Sequence, residues 1–284
     1  MKAVILALLA ALAFAIGSVL QQKGNLEVPN EGDDSRFLTQ IIRRPVWLAG
    51  AACQGSGWVF QAVAFDSGSL ILVQSLSTLS LVFALPLGTR LTGQEISRQV
   101  WIGAAAVVTG IVLFLAVGSP AAGTTTPPAS AWWSAGLVSL LFVALLGRFG
   151  WHRRGAQRAL LFGSAAGVAF AMQSAVTKVF VSVVSQGPWA VLSSWTIYVL
   201  IATAVVGFGL QQSALRTGVL APAMASSNAV TLFGSVVFGA AVFGESLSST
   251  GVRLAPSLIG LGVALTGIIL LAGAKPPSDM TQPA

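Results

Sequence analysis

The sequence predicts an all-α integral membrane protein of about nine transmembrane helices, arranged as two inverted four-helix repeats joined by one extra helix. Three observations predict it. Hydrophobic residues make up 55% of the 284 and charged residues only 8%, with a mean hydropathy of +0.84. A soluble domain instead covers itself with roughly a quarter charged residues. The apolar residues also fall in runs of about 20, the length that crosses a bilayer. Finally, the second half of the chain repeats the first in order.

The runs lie at about 3–20, 46–65, 69–89, 100–117, 131–147, 159–180, 190–210, 219–243 and 254–273. Runs this long read as helices, and the alternating segments of about 10 residues that mark a membrane barrel are absent. The first run, after Met1-Lys2 and through Ala13-Phe14-Ala15, also fits a cleavable signal. The same Ala-Phe-Ala recurs deep in the chain, which favours a retained first helix. The loop 24–44 mixes Glu27, Glu31, Asp33 and Asp34 with basic residues and reads as solvated. The run 131–147 is the shortest, and the uncharged linker Gly118–Ser130 before it reads as a flexible loop centred on Thr124–Pro128.

Charge sets the expected orientation. With the N-terminus outside, 12 of the 15 Lys and Arg fall inside, and Lys2, Lys178 and Arg253 fall outside. That bias satisfies the positive-inside rule and puts the C-terminus in the cytoplasm of a plasma-membrane protein. The net charge of +7 is therefore explained by loop basicity and gives no reason to invoke nucleic acid. The single cysteine, Cys53, permits no internal disulfide or cysteine metal cluster. The single histidine, His152, lies in a basic loop with no catalytic company.

The repeat is read residue by residue. Ala13-Phe14-Ala15-Ile16-Gly17-Ser18 aligns with Ala169-Phe170-Ala171-Met172-Gln173-Ser174. Gln61, Ala64, Gly68, Leu70, Ser77 and Phe83 align with Gln211, Ala214, Gly218, Leu220, Ser227 and Phe233, and the register brings Glu95 onto Glu245. Gly103 and Thr109-Gly110-Ile111 align with Gly260 and Thr266-Gly267-Ile268. The offsets are 156, 150 and 157 residues. The expected units are residues 1–117, a linker with the extra helix at 118–157, residues 158–274 and a tail at 275–284. An odd helix between the repeats inverts the second one. Such pseudo-two-fold architectures hold solute near the midplane between halves.

The residues Gln61-Ala62-Val63-Ala64-Phe65, Gly68, Leu76–Ala84 and Gly93-Gln94-Glu95, with second copies at Gln211–Gly218, Asn228–Phe233 and Gly244-Glu245, resemble the drug/metabolite transporter superfamily with the EamA-type fold. The resemblance covers nearly the whole chain on degenerate motifs. It departs from the family at Leu81 and Thr231, where a proline is common, and in having four helices per half rather than five. The nine-helix count, Gly17–Gly24 and Arg44-Pro45-Val46-Trp47 are similar to the NIPA-like magnesium transporter branch. The resemblance implies a transporter for a small metabolite or for a divalent cation such as Mg²⁺.

Intramembrane polar residues are either helix glue or site lining. Gln74, Ser77 and Thr78 share a face, and the repeat partner presents Ser227 and Asn228. With Phe14 and Ser18 from the first helix and Phe170, Gln173 and Ser174 from the sixth, they form the expected solute site. The competing role for each Ser or Thr is close helix packing. Lys178 is the one charge well within an apolar run, either an anion or substrate contact or a snorkelling anchor. Glu95 and Glu245 close equivalent helices and are expected to cap the next helix, with gating as the other role. No cofactor is expected, and a metal site stays open, since amides, hydroxyls and carbonyls can hold a hydrated ion. Pro86 and Pro222 are expected to bend their helices.

Alternating-access transport leads these readings. A membrane enzyme lacks a nucleophile–base pair or metal triad here, and a non-transporting assembly or lipid-handling protein is the alternative from another class. The expected partners are the lipid bilayer and a small solute or ion; a homodimer stays open.

Overall fold

In lipid, backbone polar groups must be satisfied internally, so only helices or closed barrels span. The computed structural model describes residues 1–26, 43–92, 97–121, 123–124, 126–215, 217, 220–246 and 254–272. Among these it contains eleven α-helices and no strand. They are α1 (Lys2–Leu26), α2 (Pro45–Ser67), α3 (Leu70–Ser77), α4 (Ser80–Thr92), α5 (Arg98–Gly118), α6 (Ala129–Trp151), α7 (Gly155–Val184), α8 (Pro188–Ser193), α9 (Trp195–Leu215), α10 (Leu220–Ala241) and α11 (Leu254–Ala272).

Among the described residues, eight stretches are long and apolar enough to cross a membrane: Lys2–Gln21, Leu70–Leu91, Arg98–Gly118, Ala129–Trp151, Gly155–Val184, Trp195–Ala214, Ala223–Ala241 and Leu254–Leu271. By length and composition this is a multi-pass membrane protein. Helix α2 is less apolar, carrying Gln54, Gln61 and Asp66. Its 23 residues nevertheless extend about 34 Å at 1.5 Å per residue. It lies antiparallel along the whole of α1. A Cβ on Gly24 would sit 2.9 Å from Trp47 Cβ, and one on Gly17 2.9 Å from Gly50 O. At the far end a Cβ on Gly68 would sit 2.8 Å from Ala3 Cβ.

Several expected boundaries shift. The run 131–147 is a 23-residue helix, α6, and 159–180 becomes the 30-residue α7. The third run is interrupted at Thr78–Leu79, where Leu79 N bonds Leu76 O (3.0 Å) and Leu81 N bonds Thr78 O (3.2 Å). These tighter i→i−3 bonds, not Pro86, separate α3 from α4; Pro86 lies inside α4. Serine caps begin α3 and α5, with Ser69 accepting from Leu72 N and Ser97 from Val100 N.

Helix α7 is the hub. Its small residues (Ala165, Ala166, Gly167, Ala169, Ala171 and Ala175 are all buried) let α6, α9 and α10 pack closely around it, with α2 and α3 also in contact. Across the bundle α5 and α11 cross antiparallel at four glycines. A Cβ on Gly103 would lie 3.0 Å from Gly267 O, and one on Gly260 2.9 Å from Gly110 O. Helix α6 keeps most of its apolar surface outward, with Trp133, Leu137, Leu140 and Phe149 exposed.

The linker is not the free loop the composition predicts. Thr124 N bonds Phe243 O (2.8 Å) and Ala121 N bonds Ser246 O (2.9 Å), so the stretch that includes Gly123 is strapped to the end of α10. Unpaired backbone groups on the two segments satisfy each other there. Gly123 lies so close to Phe243 O that a Cβ would be 2.0 Å away. Most of the loop 24–44, the tail at 275–284 and Glu95 lie outside the described residues.

Candidate functional site

The polar residues gather in two zones. The first lies midway along the helices. Gln61 of α2 donates through Nε2 to Gln74 Oε1 (3.3 Å) and Ser77 Oγ (3.1 Å), binding α2 to α3. At the aligned positions, Gln211 Nε2 of α9 contacts Met224 Sδ of α10 (3.1 Å). A second pair of contacts also recurs. Phe14 packs on Gly57, where a Cβ would lie 2.6 Å from its ring, and Phe170 packs on Gly207, where a Cβ would lie 2.7 Å from its ring. Each ring is seated against its neighbouring helix, where the facing glycine leaves a ring-sized recess.

Most hydroxyls in this zone are satisfied by their own helices. Ser77 Oγ donates to Val73 O (2.9 Å), Thr78 Oγ1 to Gln74 O (3.0 Å) and Ser174 Oγ to Phe170 O (3.0 Å). Asn228 Nδ2 donates to Met224 O (2.7 Å) and is half-buried. Ser18 Oγ accepts from Gln54 Nε2 (3.2 Å). Thr231 Oγ1 bonds Ser227 O (2.7 Å) and reaches Gly167 O of α7 (3.2 Å), joining α10 to the hub. Ser227 itself is buried at that crossing.

Gln173 differs. It is 4% exposed, and its Nε2 has no hydrogen-bond partner; Gln211 Oε1 and Ser235 Oγ are likewise buried without one. An amide has four hydrogen-bonding positions to fill, and leaving one empty in an apolar interior costs about 1–3 kcal/mol. A donor on the hub helix and an acceptor on α9 are thus left with capacity for a polar solute or water. The 350 Å³ groove lined by Val4, Leu72, Leu76, Ile111 and Leu115 is apolar and involves none of them.

The second zone lies at one end of the bundle. Lys178 of α7 and Glu245, just past α10, form a buried ion pair. Glu245 Oε1 also accepts from Leu70 N (2.6 Å) and Oε2 from Ile71 N (3.0 Å), the first turn of α3. The carboxylate therefore neutralises both an ammonium and the positive end of a helix. Lys178 Nζ stands 4.5 Å from the centre of the Phe243 ring. Phe243 meets Trp132 edge-on at 5.9 Å, and Trp132 meets Trp195 at 5.1 Å. Gly244, with φ of 63°, makes the left-handed turn that aims Glu245 back toward α3, a conformation glycine adopts at no steric cost.

One alternative falls away here and one expectation is corrected. Lys178 does not snorkel: its side chain is 6% exposed, because an interior carboxylate is available. Glu245 does cap a helix, but the helix is α3, far back in the chain, rather than the one that follows. Sequence reasoning overlooked Gln61 and Gln211 as site residues although the repeat aligned them. It also had no means of finding the Leu70 and Ile71 amides.

The chain is similar to an uncharacterized protein of Corynebacterium glutamicum, 29% identical over 273 residues, covering 94% of this chain and 92% of that one. No protein-family model matches the chain, and no solved structure matches it.

Proposed function

We propose that this protein is a membrane transporter that moves a small metabolite or ion by alternating access between two related halves of opposite orientation, residues 1–117 and 158–274. The proposal counts α2 as a ninth span, places the N-terminus outside, and groups the chain with the drug/metabolite transporters that its motifs resemble. One observation carries it. Contacts at aligned positions recur in both halves, Phe14–Gly57 with Phe170–Gly207 and Gln61–Gln74 with Gln211–Met224. Inverted repeats put the solute between the halves near the midplane, and Gln173 lies near the middle of the hub helix Gly155–Val184.

The donor set favours a neutral or zwitterionic solute over Mg²⁺. Mg²⁺ prefers carboxylates with retained waters. The polar groups of the middle zone are amides and hydroxyls, and both Glu245 oxygens already accept from N–H groups.

The test is solute flux into proteoliposomes, with Mg²⁺ first and then a panel of small polar metabolites, comparing the intact chain with Gln173→Leu. The substitution removes an unsatisfied amide, so stability should hold while saturable flux is lost. Folded protein that moves nothing above empty liposomes across the panel would refute the proposal. Saturable Mg²⁺ flux would transfer it to the NIPA-like reading.

A further inference from the structure

Glu245 and Lys178 are both in the C-terminal half, whereas the amides Glu245 covers belong to α3 in the N-terminal half. We propose that Glu245 is a latch that closes the mouth at this end of the transporter, released when the halves rock apart. The inference rests on the alternating-access reading above and adds to it the residue that seals one side.

The geometry suits a reversible closure. A salt bridge split between moving halves would strand two unpaired charges in a low-dielectric interior each time it opened, at a cost of several kcal/mol per ion. Here Lys178 and Glu245 move together as a neutral unit, and opening breaks only the two bonds to Leu70 N and Ile71 N. Those amides are the free first-turn donors of α3, an eight-residue helix detached from α4 at Thr78–Leu79. Water can hydrate them once the mouth opens.

The surroundings complete a plug. Gly239 brings α10 against α3 so closely that a Cβ would lie 2.6 Å from Ile71 Cγ1 and 2.7 Å from Glu245 Oε2. Phe243, fully buried, backs the ammonium and is itself backed by Trp132. The strap through Thr124 and Ala121 holds residues 243–246 from the other side. Two side-chain charges, a helix terminus and an aromatic layer therefore converge at one place between the halves.

The test reads access, so it needs no knowledge of the solute. Cys53→Ala removes the native thiol, and Ser75→Cys places a reporter behind the latch; Ser75 is fully buried on α3, a turn beyond Ile71. In nanodiscs, where both faces are open to reagent, a charged maleimide should label this reporter slowly. Adding Glu245→Gln should raise the rate about tenfold or more, the factor set by about 1.4 kcal/mol of lost closure. The exchange Lys178→Glu with Glu245→Lys should not restore slow labelling. It rebuilds the ion pair but points an ammonium at the positive end of α3.

A reporter at Ser139→Cys, buried on α6 about two turns from Trp132, should stay slow throughout. An unchanged rate in Glu245→Gln, or slow labelling regained in the exchanged pair, would reduce the site to a structural ion pair and overturn the latch. A parallel rise at position 139 would show general loosening and overturn it too. If Glu245→Gln does not fold, Gly239→Ala replaces it, wedging α10 from Ile71 and crowding Glu245 Oε2 while keeping both charges of the pair, and the same rise is expected. These outcomes are independent of flux, so a failed latch leaves the transport result standing, and absent flux does not alter the labelling result.

Discussion

Substituting Gly110 by alanine tests the crossing of α5 and α11 directly. The new Cβ would lie 2.3 Å from Ala264 N, 2.7 Å from Gly260 O and 2.8 Å from Ala264 Cα. All three are backbone atoms of the facing helix, so no side-chain rotation relieves them. Regaining ordinary contact near 3.5 Å requires the helices to part by about 1 Å, and a gap of that size forfeits up to about half the dispersion energy of the atom pairs beside it. Overpacking of this kind costs about 1–3 kcal/mol. For a chain of this size that corresponds to a loss of about 2–4 °C in melting temperature per kcal/mol. The control is Gly262→Ala on α11, where a Cβ meets nothing within 4 Å. The assay is thermal unfolding in detergent followed by loss of monodisperse protein, with scan rate held constant. Gly110→Ala should melt several degrees below Gly262→Ala, which should match the parent. Equal melting of the two variants would refute the close crossing and the helix pairing built on it.

Two further outcomes are expected. Gln61→Leu removes the donor shared by Gln74 and Ser77 and should cost about 1–3 kcal/mol by stranding buried acceptors. Gln211→Leu loses only a contact to the Met224 sulfur and should cost less in the same melting assay. Lys178→Met alone leaves Glu245 as a buried charge and should destabilise by about 3–5 kcal/mol, whereas Lys178→Met with Glu245→Gln should recover most of that. Equal stability of the single and double variants would contradict a buried pair.

Much was legible in one dimension. In lipid the backbone has few options, so nine apolar runs translate almost directly into helices; the ends moved by four or more residues at α1, α6, α7 and α9, and the third and seventh runs each split in two. Lys178 and Glu245 stood out as the charge in an apolar run and the carboxylate at a repeat boundary. Gln173 was among the intramembrane polar residues expected at the site, and its Nε2 is buried without a partner. The recesses that Gly57 and Gly207 open beside Phe14 and Phe170 were not legible, because nothing in the pattern shows which glycine faces which ring.

The sequence by itself determined that the chain lives in a bilayer, roughly where each helix runs, and which polar residues deserve scrutiny. These follow from solvent and periodicity, which act locally along the chain. Only the tertiary structure decided that Lys178 meets Glu245, that Glu245 caps a helix 175 residues away in sequence, and that Gly110 fits against Gly260. Such pairings depend on which helix faces which at a given depth. Helices in lipid are nearly uniform on their apolar surfaces, so hydropathy carries no record of that choice, and small residues and buried charges make it in three dimensions.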